Sequence, residues 1–296
     1  MNLSRAKAVL IAAFLILNLF LIYQIVVDER MDNPVFFGSK EEVSRLETAL
    51  QQANLSLDVP LPRGGMHVAY LVVMPWQPVS ENVVTLLWEG LANNEEEREN
   101  FSPEDMLITG NLENNISEWR FGDYELLICK EGSFQLHNVF HDLEPQQIES
   151  AAEEFLKRVS FLQDFVYDYV KVEEAETILN YGQNYAGFPL YAGYLQVKCN
   201  AEPGCEIHLY RLEPLGFGEQ EREVIPPSTA LWRFLDVYSE AEHNEILPTT
   251  IVEFSLGYYS EEYDAERWEI PPVWRIRLLN GEVYYINAFT GYLENQ

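Results

Sequence analysis

Basic residues are scarce in this chain. Lys and Arg number 19 against 48 Asp and Glu, for a formal net charge of −29 over 296 residues. Two of the 19, Arg5 and Lys7, precede every acidic residue, so the part beyond residue 27 holds 17 basic and 48 acidic groups, a balance of −31. A surface of that sign repels nucleic acid and anionic lipid headgroups, which excludes both as partners of this part. Catalytic signatures are missing too. There is no G-x-S-x-G, no Walker loop, no H-E-x-x-H and no C-x-x-C, so neither an enzyme nor a cofactor is expected. Aromatic residues are not scarce. At 13% they exceed what a disordered acidic region carries, and the acidic part is expected to fold around a core.

Long apolar runs are limited to one. Residues 8–27, AVLIAAFLILNLFLIYQIVV, contain no charge. As a helix rising about 1.5 Å per residue, the run spans roughly 30 Å, the hydrocarbon thickness of a bilayer. A cleaved signal peptide has a shorter apolar region of roughly 7–15 residues and small residues at its cleavage site, and neither is present. The expectation is an uncleaved single-pass anchor. Arg5 and Lys7 set the topology, with residues 1–7 cytoplasmic and the acidic part outside. Ala8 and Ala12 form a small-xxx-small pair, and Asn18 lies near mid-membrane, where its amide seeks a partner. These three residues are candidate contacts with a partner helix; a passive tether is the plainer reading.

Residues 28–38 read as a linker. Ser39 with Glu42 makes a capping box for a helix whose apolar face is Val43, Leu46, Leu50 and Ala53. A short strand at 55–59 and an inner strand at 67–74 follow. Val83, Leu86, Leu87 and Leu91 have helical spacing, and 93–99 is a solvated charge run. Strands are expected at 106–109, 118–121, 124–129 and 133–139. Ile148, Ala152, Phe155, Val159, Leu162 and Val166 then predict a long helix, with Pro145 suited to its first turn. This helix is expected to open a second unit. The domains are therefore 39–142 and 143–296, with further strands at 176–179, 191–198, 206–212 and 250–258, and a helix capped by Ser228. The fold class is α+β: an N-terminal membrane helix, then an ectodomain of two similar units, each an antiparallel sheet packed with helices.

Three cysteines are present. Cys199 and Cys205 flank a turn-rich loop between two strand-like segments, where a hairpin would set them face to face. A disulfide is permitted outside an oxidising membrane face, and two ordinary small residues is the other reading. Cys129 reads as a buried strand residue. His137 and His141, four apart on a strand rather than a helix, read as ordinary histidines rather than metal ligands. Tyr181, Tyr185, Phe188, Tyr191 and Tyr194 line either a groove or, more commonly, a core or sheet face. At the C-terminus, 273–279 and 282–288 flank Asn280-Gly281, a type I′ hairpin signal. In that register Leu278 faces Val283 and Ile276 faces Tyr285. Trp274, Ile276, Leu278, Val283 and Tyr285 then form the core face, and Arg275, Arg277, Tyr284 and Ile286 the partly exposed one.

Ser4-Arg5-Ala6-Lys7 followed by Ile11-Ala12-Ala13-Phe14-Leu15-Ile16-Leu17-Asn18-Leu19-Phe20-Leu21 resembles the start of the YycI family. Similar proteins often carry an aromatic residue near the start, where this chain has Leu3. Pro272-Val273-Trp274-Arg275-Ile276, Gly281, Tyr284-Tyr285-Ile286-Asn287-Ala288 and Thr290-Gly291 resemble its end, and are similar to the terminal hairpin of PepSY-type extracytoplasmic modules. The resemblance implies a membrane-anchored regulator of a Gram-positive two-component system, acting with YycH on the sensor kinase YycG (WalK), partner of the response regulator YycF (WalR), in control of cell-wall metabolism. The alternative is a PepSY-like surface-tethered module that binds a wall ligand or inhibits a protease.

Overall fold

The computed structural model describes Phe14 and residues 40–62, 64–77, 80–92, 107–111, 116–121, 124–129, 132–141, 143–173, 176–200, 204–240, 248–263 and 265–294. Its helices are α1 (Lys40–Gln52), α2 (Ser80–Leu91), α3 (Pro145–Arg158) and α4 (Pro227–Glu240). Its strands are β1 (Leu55–Leu57), β2 (His67–Val68), β3 (Leu71–Pro75), β4 (Leu107–Asn111), β5 (Ile116–Phe121), β6 (Tyr124–Cys129), β7 (Ser133–Val139), β8 (Phe165–Val172) and β9 (Glu176–Tyr185). They continue as β10 (Phe188–Asn200), β11 (Cys205–Tyr210), β12 (Leu212–Phe217), β13 (Arg222–Glu223), β14 (Thr249–Tyr258), β15 (Trp268–Ile270), β16 (Pro272–Leu278) and β17 (Val283–Asn287). The result is α+β and dominated by one sheet.

Strand β10 is the axle of that sheet. One edge pairs along its length with β9, which pairs in turn with β8. The other edge meets β14 at Leu190, then β11 from Tyr194 to Cys199. From those two junctions the sheet runs out through β16 to β17 and through β7, β6 and β5 to β4. Strand β1 lies parallel to β14 on the edge opposite β16, the one that also meets β10. A three-stranded sheet, β12–β3–β15, packs over the crossing with Leu71, Val73, Leu190, Leu212, Tyr258 and Ile270 in its core.

Helical periodicity explains which faces are buried. Ala152, Phe155 and Leu156 of α3, with Val159 just beyond its end, pack against Val83, Val84 and Leu87 of α2 and against Leu126, Phe134 and Leu136 of the sheet. In α4, Leu231, Phe234, Leu235 and Tyr238 are all buried, with Leu46 and Leu50 of α1 and Ile251, Trp274, Ile276 and Ile286 below them. Helix α3 fills the core of β5–β7, whereas α1 and β1 pack on the C-terminal strands.

Three local expectations are corrected. The apolar run 67–74 is two strands with different partners, because β2 pairs β13 while β3 pairs β12 and β15. The helix expected to reach Val166 ends at Arg158; a 3₁₀ turn (Ser160–Leu162) intervenes and Val166 belongs to β8. The C-terminal hairpin pairs Arg277 with Val283, Ile276 with Tyr284 and Trp274 with Ile286. Its loop has three residues. Gly281 N–H donates to Leu278 O at 2.9 Å, Leu278 N–H to Glu282 O at 2.9 Å, and Gly281 alone has positive φ, at 90°. That is a type I turn closed by a left-handed glycine, not type I′. The one-residue shift exchanges the partners on each face. Ile286 and Tyr284 join the core beside Trp274 and Ile276, and Tyr285 moves to the opposite face with Arg275. A two-residue turn with both φ values positive occurs instead at Ala186 (50°) and Gly187 (86°), between β9 and β10.

Candidate functional site

The face of β14, β16 and β10 turned away from α1 and α4 is built around Arg275. Alternation along β16 places Arg275 and Arg277 there, opposite Trp274 and Ile276. The Arg275 side chain is only 3% exposed. Its Nη1 lies 2.8 Å from Asp168 Oδ2 and 3.3 Å from Glu253 Oε1. Arg277 Nε donates to Glu253 Oε2 at 3.0 Å. Ser255 Oγ donates to Glu253 Oε1 at 2.8 Å, which leaves the Tyr191 hydroxyl to donate to Ser255 Oγ at 2.7 Å. Aromatic rings wall the guanidinium. Arg275 lies 4.6 Å from the Tyr191 ring centre and 5.6 Å from that of Tyr169, and Arg277 lies 4.9 Å from Tyr169. Tyr285 stacks on Tyr259 at 3.8 Å beside them. Quadrupole attraction of this kind holds a cation where water is excluded.

Sequence irregularities bring these groups together. Strand β8 bulges between Tyr167 and Tyr169, so Asp168 drops out of register and turns toward Arg275. Strand β10 breaks register between Leu190 and Tyr194, which frees Tyr191 to reach the cluster. Gly257 on β14 makes room for it, since a Cβ there would sit 2.5 Å from Tyr191 Cε2. Burial raises the Asp168 carboxyl above its ordinary value, with the Arg275 charge opposing the shift. Burial likewise pushes the Tyr191 phenol up to about 12 and raises that of Tyr285.

A second arginine, half-buried, holds the residue that leads into β8. Arg211 Nη1 lies 2.5 Å from Asp164 Oδ1, and its guanidinium is 5.9 Å from the Trp76 ring centre and 5.8 Å from that of Phe165. The Gln183 side chain, almost fully buried, donates to Asp164 Oδ2 at 3.1 Å and to Leu212 O at 2.8 Å, and accepts from Leu212 N–H at 3.2 Å. Strand β8 is thus pinned at Asp164 and again at Asp168. Its ladder runs to β9 alone among the described residues.

Next to β8 lies a groove of about 520 Å³, open to solvent, lined by Leu156, Phe165, Val166, Tyr167 and Tyr181, with Glu153, Lys157 and Gln163 completing it. The Tyr181 hydroxyl is buried without a hydrogen-bond partner among the described residues. A separate cavity of about 260 Å³ sits between α2 and α3, beside His141 and Arg158.

The residues singled out from sequence fall as follows. Arg5, Lys7, Ala8, Ala12 and Asn18 lie outside the described residues, as does the expected membrane helix 8–27 apart from Phe14. Among the described residues no helix is long and apolar enough to cross a membrane. Cys199 and Cys205 pair across β10 and β11 and are joined as a disulfide, S–S 2.08 Å. His137 is not set against His141. Its Nδ1 lies 3.1 Å from Glu206 Oε1, and His208 Nε2 lies 3.0 Å from Glu206 Oε2, so two histidines on adjacent strands share one carboxylate. No group of three or more His, Cys, Asp or Glu among the described residues is placed to hold a metal ion. The aromatic set is dispersed: Tyr181 lines the groove, Tyr185 and Phe188 pack on Phe217, Tyr191 joins Arg275, and Tyr194 packs on Tyr210. The Arg275 and Arg211 clusters were not singled out from sequence. Their carboxylate partners lie 107 and 47 residues away, so no local spacing marks them.

Comparison with known proteins adds the following. A crystal structure of an uncharacterized protein from Eubacterium rectale ATCC 33656 superposes with TM-score 0.55 at 12% identity, covering 86% of this chain and 99% of that one, a likeness of fold. The Bacillus megaterium YpeB C-terminal domain superposes with TM-score 0.41 at 13% identity, covering 74% of this chain and 96% of that one. No curated protein matches the chain in sequence. The family model described as YycI protein matches residues 37–289, through α1, every strand and both arginine clusters; the chain belongs to the YycI family and so, in general terms, to the regulators of two-component systems.

Proposed function

We propose that the protein is a non-enzymatic, single-pass membrane regulator of the sensor histidine kinase YycG (WalK), acting with a YycH-like protein in control of cell-wall metabolism. The observation that carries this reading is the family match over 37–289. Residues 8–27 anchor the chain, residues 1–7 remain in the cytoplasm, and the folded body stands on the outer face, a placement that the Cys199–Cys205 disulfide favours. Ala8, Ala12 and Asn18 supply the close packing and the amide that a helix contact in lipid uses. The body adds a second contact outside the membrane. Two such contacts bias the kinase between its conformations by the difference in their affinity for each.

A crosslinker installed at position 18 tests the membrane contact. Capture of the kinase or the YycH-like protein is expected, and capture of neither overturns that contact. Replacing residues 8–27 by an unrelated membrane helix tests the division of labour. Loss of regulation is expected; full retention favours the second reading, a PepSY-like surface-tethered binding or protease-inhibitory module acting through the body alone.

A further inference from the structure

We propose that the free edge of β8 is a docking site for an extended segment of a partner protein, a segment apolar at alternate positions and basic between them. The inference rests on reading the body as a docking module and names its surface.

An edge strand presents unpaired N–H and C=O groups at the spacing another strand needs. Among the described residues β8 bonds only to β9. Four of its five exposed residues are apolar, Lys171 being the fifth. Val166 is 55% exposed, Tyr167 39%, Val170 45% and Val172 74%, so half of an eight-residue strand offers large apolar side chains to solvent. Natural edges are ordinarily blunted by charge, proline or a bulge; β8 has no proline, one bulge at Asp168 and one exposed charge, Lys171, which is paired with Glu173.

The groove alongside supplies what a bare edge lacks. Its apolar floor, Leu156, Phe165 and Tyr181, lies next to Val166 and Tyr167 and accepts side chains from an incoming strand. Among the described residues the Tyr181 hydroxyl has no hydrogen-bond partner, inside a residue only 2% exposed. Leaving such a group unsatisfied is unfavourable; the atom is closed to solvent, so a small outward shift of the ring on docking would let an incoming backbone carbonyl accept from it.

Charge selects the occupant. Glu149 and Glu153 of α3 and Asp168 of β8 lie close enough to the two phenols to add to burial in raising them, with Arg277 opposing at Tyr167, so carboxylates outnumber cations beside the groove. The nearby lysines are already committed, Lys157 to Glu153 at 3.2 Å and Lys171 to Glu173 at 2.7 Å. A second copy of this chain would bring another net charge of −29 against the same acidic rim, which argues for a different, basic partner. Asp164–Arg211 and Asp168–Arg275 hold the strand in place beforehand, so docking orders little of this chain.

The test uses the full-length chain in detergent micelles and two short capped peptides, one alternating valine with lysine and one alternating valine with glutamate. The lysine peptide is expected to bind about tenfold more tightly than the glutamate one and to slow amide hydrogen exchange in residues 165–172. Val166→Lys with Val170→Lys should lower its affinity about tenfold without changing the thermal midpoint. Tyr181→Phe should weaken binding a few-fold while leaving stability equal or higher, a pairing that a purely structural role does not produce. Exchange slowed elsewhere but not in 165–172, equal binding of both peptides, or a dimer formed through β8 each overturns the proposal. If the β8 variants keep the wild-type affinity for the peptide while the chain still crosslinks to the kinase from position 18, this surface falls and the regulatory reading stands.

Discussion

The two arginines do the same work on β8 with different reserves. Arg275 has a side chain 3% exposed, two carboxylates within 3.3 Å and two aromatic faces. Arg211 is 13% exposed, with one carboxylate that Gln183 also serves. Removing one member of a buried pair leaves the other charge unsolvated, so the deeper site has more to lose. The difference teaches where the strand is most vulnerable, at its mid-strand bulge rather than at its entry.

That contrast can be broken from either side. Arg275→Met strands Asp168 and leaves Glu253 only Arg277 and Ser255, and should destabilise the fold by about 3–5 kcal/mol in chemical denaturation. Alkaline titration comes next. Tyr191 and Tyr258 are each held near 12 in the folded state against 10 for a free phenol, chiefly by burial. A raised folded pKa means that the stabilisation is complete below pH 10 and is lost as pH rises from 10 through 12. The loss should approach about 2–3 kcal/mol per phenol, and Tyr191→Phe should remove one share of it from the stability–pH curve. Arg211→Met should cost less than Arg275→Met, about 2 kcal/mol, because Asp164 keeps Gln183 and is partly solvated. Cys199→Ser opens a loop that is already a hairpin, at about 2 kcal/mol, and the intact mass of the native chain should rise by two daltons on reduction. Val166→Lys and Val170→Lys should shift stability by no more than about 0.5 kcal/mol, being exposed on β8.

Much of the fold was legible because burial follows period. The buried residues of α4 repeat at three and four, and Phe134 and Leu136 of β7 alternate with more exposed neighbours, as the sequence alone requires. The C-terminal register was not legible from Asn280-Gly281, because a left-handed glycine serves both a type I′ turn and a type I turn with a bulge. The burial of Ile286 and the packing of Tyr284 into the core settled which face turned inward. Strand β8 was read as the end of α3 because Leu162 and Val166 happen to continue its spacing; the β-branched and aromatic run FVYDYVKV was the contrary signal. The arginine clusters join residues distant in sequence through two register breaks, and a single sequence gives no sign of where a strand will bulge.

The central structural claim is that β8 owes its position to side-chain clamps as much as to its single ladder with β9. Native-state amide hydrogen exchange over 165–172, compared between the wild-type chain and Arg275→Met, tests it most directly. The account predicts that protection falls first and furthest in the segment after Asp168, while β5 to β7 keep theirs. Equal loss across the whole sheet, or unchanged protection of β8, would contradict it.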